Sequence, residues 1–369
     1  MRKSFFCFFA STIVFIGIAS GISAQPKPYS PPKLSNKDSW SMILMPDPQA
    51  YVKLAKNQPL LELMTAWIST NIDSLNIKLV LCTGDLVEFN EMISPRASER
   101  LNPNGTKVDQ PSKSQWESVA RSFARLDGRV PYITATGNHD YGYNSMENRR
   151  SNFNKYFPID KNFLTQKIVR EVALDAEGVP TLTNAAFDMT TPHGKKMLIV
   201  TTEFAPRDTI LSWASQVVNQ AKYKDHTAIL LTHSYMNAKN ERFEKENYPN
   251  KDGNYGAAIW RKVVQPSKNI QMVFAGHIAA ENDPRGHVAF RTDLNAGGKK
   301  VQQMVFNAQA LGGGNAGNGG DGWLRILEFL PDGKTVKVKT FSPLFAISPT
   351  TQPFAWRTES YDEFTFELD

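Results

Sequence analysis

Five short apolar runs, each followed by a polar residue that can bind a metal or move a proton, constrain this chain most. The runs are residues 41–45, 77–82, 130–135, 227–232 and 270–275. Their length and the turn residues beside them predict buried β-strands. The polar residues that follow them are Asp47, Asp85, Asn138, His233 and His277. Because ligands bind outside the carboxyl ends of such strands, we expect these side chains to form one site.

Segments with helical spacing of apolar residues separate the runs. The predicted helices are residues 60–75, 115–126, 210–221 and 256–264. Further strands are predicted at residues 196–202, 287–293, 301–309, 323–330 and 336–341. The alternation of strands and helices predicts a layered α/β fold. Two polar stretches are predicted to lie outside these layers, residues 90–113 as a long loop and residues 142–182 as an insertion over the site.

Composition narrows the class of protein. With 41% hydrophobic and 21% charged residues the chain is too apolar to be disordered, and its 369 residues suit one large or two small domains. The net charge of +6 favours an anionic partner, but no run of five basic residues occurs, so we predict no nucleic-acid binding. Two cysteines exclude a disulfide scaffold, and Cys82, within an apolar run, is expected to be buried.

The first 24 residues are typical of a secretory signal. Basic Arg2 and Lys3 precede an apolar stretch over residues 5–21, and Ala24 suits cleavage. Cleavage would export the protein to the periplasm or the cell exterior. The alternative is a retained membrane anchor, for which the stretch is at the short end. No second segment reaches membrane length, so we predict no stable membrane span after cleavage.

Taken singly, the polar residues after the strands have ordinary structural explanations. An aspartate after a strand caps a helix, Gly-Asn forms a turn, and a histidine at a strand end is hydrogen-bonded. Their occurrence at five strand ends favours a shared site, and carboxylate, amide and imidazole donors suit Zn²⁺, Fe or Mn²⁺. The remaining histidines, His193, His226 and His287, lie in polar contexts and are expected on the surface.

Three blocks in this order resemble the calcineurin-like metallophosphoesterase family: Gly84-Asp85, Gly137-Asn138-His139-Asp140 and Gly276-His277. The resemblance spans roughly residues 41–280. It implies a four-layer α/β/β/α sandwich with two mixed central β-sheets and a two-metal site at the strand ends. It also implies hydrolysis of phosphate mono- or diesters by metal-bound hydroxide.

The resemblance also assigns the metal ligands. Asp85 matches the carboxylate that bridges both metals, and Asn138, His233 and His277 match the rest of one metal's shell. In the other shell Asp47 matches the first aspartate, but two imidazoles are missing. The family's Asp-x-His stands here as Asp47-Pro48-Gln49, and its Gly-His-x-His ends in Ala279. The remaining oxygen donors, Asp47, Asp85 and Gln49, suit Mn²⁺ or Mg²⁺ better than Zn²⁺. We therefore expect one tight divalent transition metal (Mn, Fe or Zn) and a weak second site.

Further residues are candidates for catalysis or substrate binding. His139 matches the family's non-ligand histidine, which faces the phosphate and assists the leaving oxygen. Glu88 is predicted to orient His139, with a solvated carboxylate as the alternative. Arg149 and Arg150 are candidates to clamp a phosphate, with a solvated pair as the alternative.

Segments near the carboxyl terminus give weaker signals. The glycine-rich residues 312–322 include a dinucleotide-type spacing, but they do not open a helix, so we predict a mobile loop near the site. Asn307 and Gln309 share one face of the preceding strand and are placed either toward the site or in ordinary sheet pairing.

The predicted organisation is a signal peptide (1–24), a Pro-rich linker (25–38), a phosphoesterase domain (39–345) and a C-terminal extension (346–369). The predicted function is an exported, metal-dependent phosphoesterase that acts on a small anionic phosphoester. The alternative is a non-catalytic member of the same fold that binds a metal or a phosphorylated glycan or lipid. The sequence indicates no particular oligomeric state.

Overall fold

The computed structural model describes residues 29–96, 107–281 and 283–369. The predicted signal peptide and the first residues of the linker lie outside this part. Fourteen strands are present in the described residues: β1 Trp40–Met45, β2 Ile77–Cys82, β3 Tyr132–Thr134, β4 Val169–Leu174, β5 Pro180–Thr190, β6 Lys196–Thr201, β7 Thr227–Leu231, β8 Ile270–Ala275, β9 Val288–Leu294, β10 Lys300–Phe306, β11 Leu324–Phe329, β12 Thr335–Phe341, β13 Trp356–Arg357 and β14 Phe364–Glu367.

Helices lie between the strands. The α-helices are α1 Gln49–Val52, α2 Gln58–Thr70, α3 Ser112–Ala124, α4 Phe153–Tyr156, α5 Phe163–Ile168, α6 Asp208–Val218, α7 Gly256–Ile259 and α8 Pro343–Ala346. Short 3₁₀ turns cover Ala55–Asn57, Asn138–Asp140, Ala221–Tyr223, Pro284–His287, Gly314–Ala316 and Gln352–Phe354, and a π-helical turn covers Trp260–Val264. None of the helices in the described ranges is both long and apolar enough to cross a membrane.

The strands form two mixed sheets of seven strands each. The first has the order β13-β12-β11-β1-β2-β3, with β14 also paired to β12, and the second has the order β4-β5-β6-β7-β8-β10-β9. Strands β1, β2 and β3 run parallel, as do β6, β7, β8 and β10. Parallel strands end at a common edge, so each sheet gathers its strand ends on one side.

Apolar side chains on both faces of the central strands build three core layers. In β1, Met42 and Leu44 face the core between the sheets, whereas Ile43 and Met45 face the core under α2 and α3. A third core packs the second sheet against α6 and α7. Burial on both faces explains why these strands are almost uninterrupted apolar runs. The arrangement is the predicted four-layer α/β/β/α sandwich.

Three segments differ from the sequence predictions. Helix α2 ends at Thr70 rather than at residue 75. Asn71 caps the helix, and the residues that follow form a turn. The segment expected as an insertion contains β4 and leads into β5 at an edge of the second sheet, and register shifts in β4 break the alternation that would reveal a strand. The predicted C-terminal extension contributes β13 and β14 to the first sheet.

Candidate metal centre

Three side chains from the two sheets converge at the strand ends. Asp85 follows β2, His233 follows β7 and His277 follows β8, and one ligand atom of each lies within 4.8 Å of the others. His233 Nε2 is 3.2 Å from Asp85 Oδ2 and 3.2 Å from His277 Nδ1. Asp85 and His233 are buried and His277 is half-buried. The structure thus brings together three of the residues predicted to hold a metal.

The outer nitrogens of both imidazoles have fixed partners. His233 Nδ1 lies 2.8 Å from the carbonyl oxygen of Thr83, and His277 Nε2 lies 2.7 Å from Glu246 Oε1. Because both partners are acceptors, these outer nitrogens carry the protons as N–H donors. The inner nitrogens then present two lone pairs to each other and to a carboxylate, an arrangement that requires a cation between them.

The electrostatics of the pair agree with this requirement. Burial alone would lower the pKa of His233, but the carboxylates of Asp85 and Asp47 raise this pKa to about 10. Burial alone would raise the pKa of Asp85, but His233 and His139 hold that pKa well below its usual range. In the absence of a metal, a proton on His233 supplies the positive charge that these carboxylates demand.

Asn138 is the candidate for a fourth donor. Its Nδ2 donates to Ser145 Oγ at 2.9 Å, which directs its Oδ1 elsewhere, and this buried oxygen has no hydrogen-bond partner among the described residues. The next residue, His139, donates its backbone N–H to Asp85 Oδ1 at 3.0 Å and so holds this turn against the carboxylate. Two imidazoles, one carboxylate and one amide oxygen fit a divalent transition metal.

Local backbone geometry explains the glycines of these motifs. A Cβ atom on Gly137 would lie 2.0 Å from Asp85 Oδ1, and one on Gly276 would lie 2.2 Å from Asp47 Oδ1. Both Asp85 and His277 have left-handed backbone conformations, with φ of 49° and 74°. Non-glycine residues rarely adopt this conformation, and it concentrates at functional sites.

Hydrogen bonds from three groups hold Asp47, the first predicted ligand of the second metal. Oδ2 of buried Asp47 accepts from the backbone N–H of His277 at 2.8 Å and from Asn307 Nδ2 at 2.7 Å, and Oδ1 accepts from Thr83 Oγ1 at 2.6 Å. Burial raises the pKa of Asp47 to about 6, against the opposing effect of His233. A second metal at Asp47 would therefore compete with these hydrogen bonds for the carboxylate oxygens.

The other two positions of the second predicted metal shell, Gln49 and Ala279, offer one side-chain oxygen between them. Gln49 Oε1 is buried and has no hydrogen-bond partner among the described residues, whereas Ala279 is exposed and has no donor side chain. Asn307, one of two candidates on the strand before the glycine-rich segment, does reach the site. Gln309 Oε1 is buried without a partner in the described part of the chain.

His139 lies beside the cluster, but the group that orients its ring differs from the prediction. Its Nδ1 lies 2.8 Å from the backbone carbonyl of Glu88, and the Glu88 carboxylate pairs instead with Lys53 at 3.4 Å, both side chains being buried. The predicted role of the Glu88 carboxylate in orienting His139 is thus contradicted, because the backbone performs it. His139 Nε2 points away from this hydrogen bond, and the ring is half-buried.

Arg149, one of the two predicted phosphate clamps, is already saturated. Its side chain, 11% exposed, binds Glu203 at 3.2 Å and Asp252 at 2.8 Å. It also donates to the carbonyls of Phe204 and Ala205. The side chain of Arg150 is 70% exposed, with Glu177 at 3.5 Å. Neither arginine is bonded to a residue of the metal cluster.

Glu246 is the site residue that sequence reasoning missed. It lies in the irregular segment 237–255, which carries no periodic pattern and no motif that would have singled it out. The segment also borders a cavity of about 640 Å³ lined by Glu246 and Tyr248 among others. Only the folded structure therefore shows that Glu246 belongs to the site.

The sequence also predicts positions for the glycine-rich segment, Cys82 and two of the remaining histidines. Within the glycine-rich segment, Gly322 N–H donates to the Tyr51 hydroxyl at 3.0 Å, so the segment packs beside α1, which begins at Gln49. Cys82 is buried, as expected. His226 and His287 are buried, contrary to the prediction, because each meets an acceptor inside the fold: Asp188 Oδ1 at 3.1 Å and the carbonyl of Ala280 at 2.7 Å.

Comparison with known proteins identifies the family. The sequence model of the calcineurin-like phosphoesterases matches residues 57–281. An uncharacterized protein of Bacillus subtilis (strain 168), YvnB, is 28% identical over 345 residues, which cover 90% of this chain and 22% of the relative. The chain thus spans about a fifth of the length of that curated relative.

Solved structures show only distant likenesses. A Plasmodium protein described as GAP50, the anchor in the inner membrane complex, has a TM-score of 0.41 at 11% identity, with coverage of 90% of this chain and 89% of that one. A second crystal structure has a TM-score of 0.40 at 12% identity, with coverage of 82% and 99%. By the extent of the family match, this chain belongs to the calcineurin-like phosphoesterases.

Proposed function

We propose that this protein is an exported phosphoesterase that hydrolyses phosphate mono- or diesters with one divalent transition metal, Mn, Fe or Zn. The observation that carries the proposal is the convergence of His233 Nε2, His277 Nδ1 and Asp85 Oδ2, with both outer nitrogens committed to acceptors. When bound, such a cation polarises a phosphoryl oxygen and acidifies water.

The chain's own residues supply positioning and proton transfer. His233, His277, Asp85 and Asn138 would hold the cation. The hydrogen bond from His139 Nδ1 to the Glu88 carbonyl fixes the ring and leaves Nε2 available. In its protonated form, His139 can donate the Nε2 proton to the oxygen of the departing alcohol. General-acid catalysis of this kind contributes roughly 10²–10⁴-fold to the rate.

Export is supported by the sequence of residues 1–24, and the proposed location is the periplasm or the cell exterior. The substrate is proposed to be a small anionic phosphoester, in line with the net charge of +6, which becomes +4 when Arg2 and Lys3 are removed with residues 1–24.

A second candidate is a member of the same fold that binds a metal or a phosphorylated glycan or lipid without hydrolysis. The three hydrogen bonds to Asp47 favour this candidate, because their donors compete with a second metal for the oxygens of the first predicted ligand. Hydrolysis by the protein decides between the two.

The test is an assay of the purified protein without residues 1–24. We expect hydrolysis of p-nitrophenyl phosphate or bis(p-nitrophenyl) phosphate after addition of Mn²⁺, Fe²⁺ or Zn²⁺. No hydrolysis of either ester with any of these metals, in protein that binds metal, would favour the second candidate.

Two variants separate metal binding from chemistry. His277→Ala removes a ligand, so both bound metal and activity should fall. His139→Ala should retain the metal and slow hydrolysis by roughly 10²–10⁴-fold, because only proton donation is lost. Metal content after dialysis and kcat are the measurements. Equal loss of metal in both variants would make His139 a ligand and contradict the assignment.

A further inference from the structure

Glu246 occupies a defined position on the far side of His277 from the metal cluster. Its Oε1 accepts from His277 Nε2 at 2.7 Å, and its Oε2 accepts from the hydroxyl of Ser234. The side chains of Glu246 and His277 are 12% and 14% exposed, so water competes little for the hydrogen bond between them. Both carboxylate oxygens are engaged, which fixes the plane of the carboxylate.

Aromatic rings confine His277 on its other sides. The ring centroids of Phe204, Phe243 and Tyr248 lie 6.2, 6.1 and 6.2 Å from that of His277. These rings restrict how far the imidazole can tilt, but they do not determine which ring nitrogen carries the proton. The carboxylate of Glu246 does, because it accepts only from a protonated Nε2.

We propose that Glu246 is a positioning residue that holds the Nε2–H tautomer and the orientation of His277, and so raises the affinity of the cluster for its metal. With Nε2 protonated, Nδ1 keeps its lone pair and faces His233 Nε2. The negative charge of Glu246 also makes the imidazole a better electron donor at Nδ1. The inference rests on the proposed function in assuming that a divalent metal binds at this cluster.

Ser234 connects Glu246 to the second imidazole ligand. It directly follows His233 in the chain, and its hydroxyl binds the oxygen of Glu246 that His277 does not use. One carboxylate therefore links the segment 237–255 to the strand ends that carry both histidines. Loss of Glu246 should loosen His277 first, since that contact is direct.

The experiment measures Mn²⁺ and Zn²⁺ binding by titration calorimetry on chelator-treated protein. Glu246→Ala should weaken binding by roughly 10–100-fold, the usual effect of removing a carboxylate behind a metal-binding histidine. Glu246→Gln should lose less, because its amide oxygen still accepts from Nε2 but carries no charge. Activity of Glu246→Ala should recover at saturating metal, because both carboxylate oxygens are engaged by His277 and Ser234 and the side chain acts through the metal ligand.

Glu244→Ala is the matched control, two residues away in the same segment. The Glu244 side chain is 71% exposed and pairs with Arg261 at the surface, so metal affinity should not change. Equal affinity of Glu246→Ala and wild type would overturn the inference. If Glu246→Ala does not fold, Glu246→Met replaces it, since its side chain fills similar space but cannot fix the proton on Nε2, and unchanged metal affinity in that variant would overturn the inference. Failure of the wild type itself to bind metal would instead overturn the proposed function.

Discussion

Arg149 and Arg150 are neighbours in the chain with opposite surroundings. Arg149 is enclosed by carboxylates and carbonyls from two later segments, whereas Arg150 extends into solvent beside Glu177. Glu203, the buried partner of Arg149, also binds Arg207 at 2.8 Å. The guanidinium of Arg149 therefore neutralises charge inside the fold and ties the loop after the Asn138–His139 turn to the second sheet.

Replacement of Arg149 should affect stability rather than substrate binding. Arg149→Ala leaves a buried carboxylate with one partner fewer, and we expect the free energy of unfolding to fall by about 3 kcal/mol. Arg150→Ala, at an exposed position, should change it by less than about 0.5 kcal/mol. Urea unfolding measures both. A rise in KM for Arg150→Ala with unchanged stability would restore its role as a phosphate clamp.

The loops after β1 and β8 carry the residues of the second predicted metal shell. In the loop after β8, His277 donates its backbone N–H to Asp47, and Asn307 from the end of β10 donates to the same oxygen. These N–H donors stabilise the negative charge of Asp47, which would otherwise attract a second cation. The exposed Ala279 leaves this side of the site open.

We therefore expect nearer one than two tightly bound metal ions per chain after extensive dialysis. Restoring both imidazoles with Gln49→His and Ala279→His should add little, because Asp47 remains hydrogen-bonded. Adding Asn307→Ala to that double variant should free one lone pair of Asp47 and allow a second ion to bind. Metal analysis of the three proteins checks this. Two tightly held ions in the wild type would show that Asp47 exchanges its hydrogen bonds for a metal.

At the scale of the whole molecule, the core between the two sheets holds the site together. Asp85 comes from one sheet and both histidines come from the other, so their distances depend on how the sheets pack. The end of the chain takes part in this packing, since Phe366 and Leu368 lie in the core between the sheets. The last strand therefore stabilises the domain that carries the site.

Removal of the Phe366 ring should destabilise the whole domain. Phe366 is 6% exposed, and we expect Phe366→Ala to lower the free energy of unfolding by about 3–5 kcal/mol. Phe354→Ala is the control, because Phe354 is 59% exposed and its loss should change stability by less than about 0.5 kcal/mol. Denaturant unfolding provides the measurement. Similar stabilities for the two variants would mean that the C-terminal strands fold independently of the sheets.

The sequence by itself determined the layers and the three-residue cluster. Central strands buried on both faces must be continuous apolar runs, so β2 and β8 are bounded in the structure as the pattern predicts. Gly84-Asp85 and Gly276-His277 directly follow these strands, and the close approach of the backbone there admits only glycine at each first position. These features depend on residues that are adjacent in the chain, so the sequence alone predicts them.

Only the tertiary structure decided which groups surround the cluster. Asn307 is 260 residues from Asp47 in the chain, and Glu246 is 31 residues from His277 in a segment without periodicity. The edge strand β4 stayed hidden because register shifts break its alternation, and Arg149 was misread because its partners lie far along the chain. Such contacts depend on how irregular segments pack against the sheets. The spacing of residues in the sequence does not predict that packing.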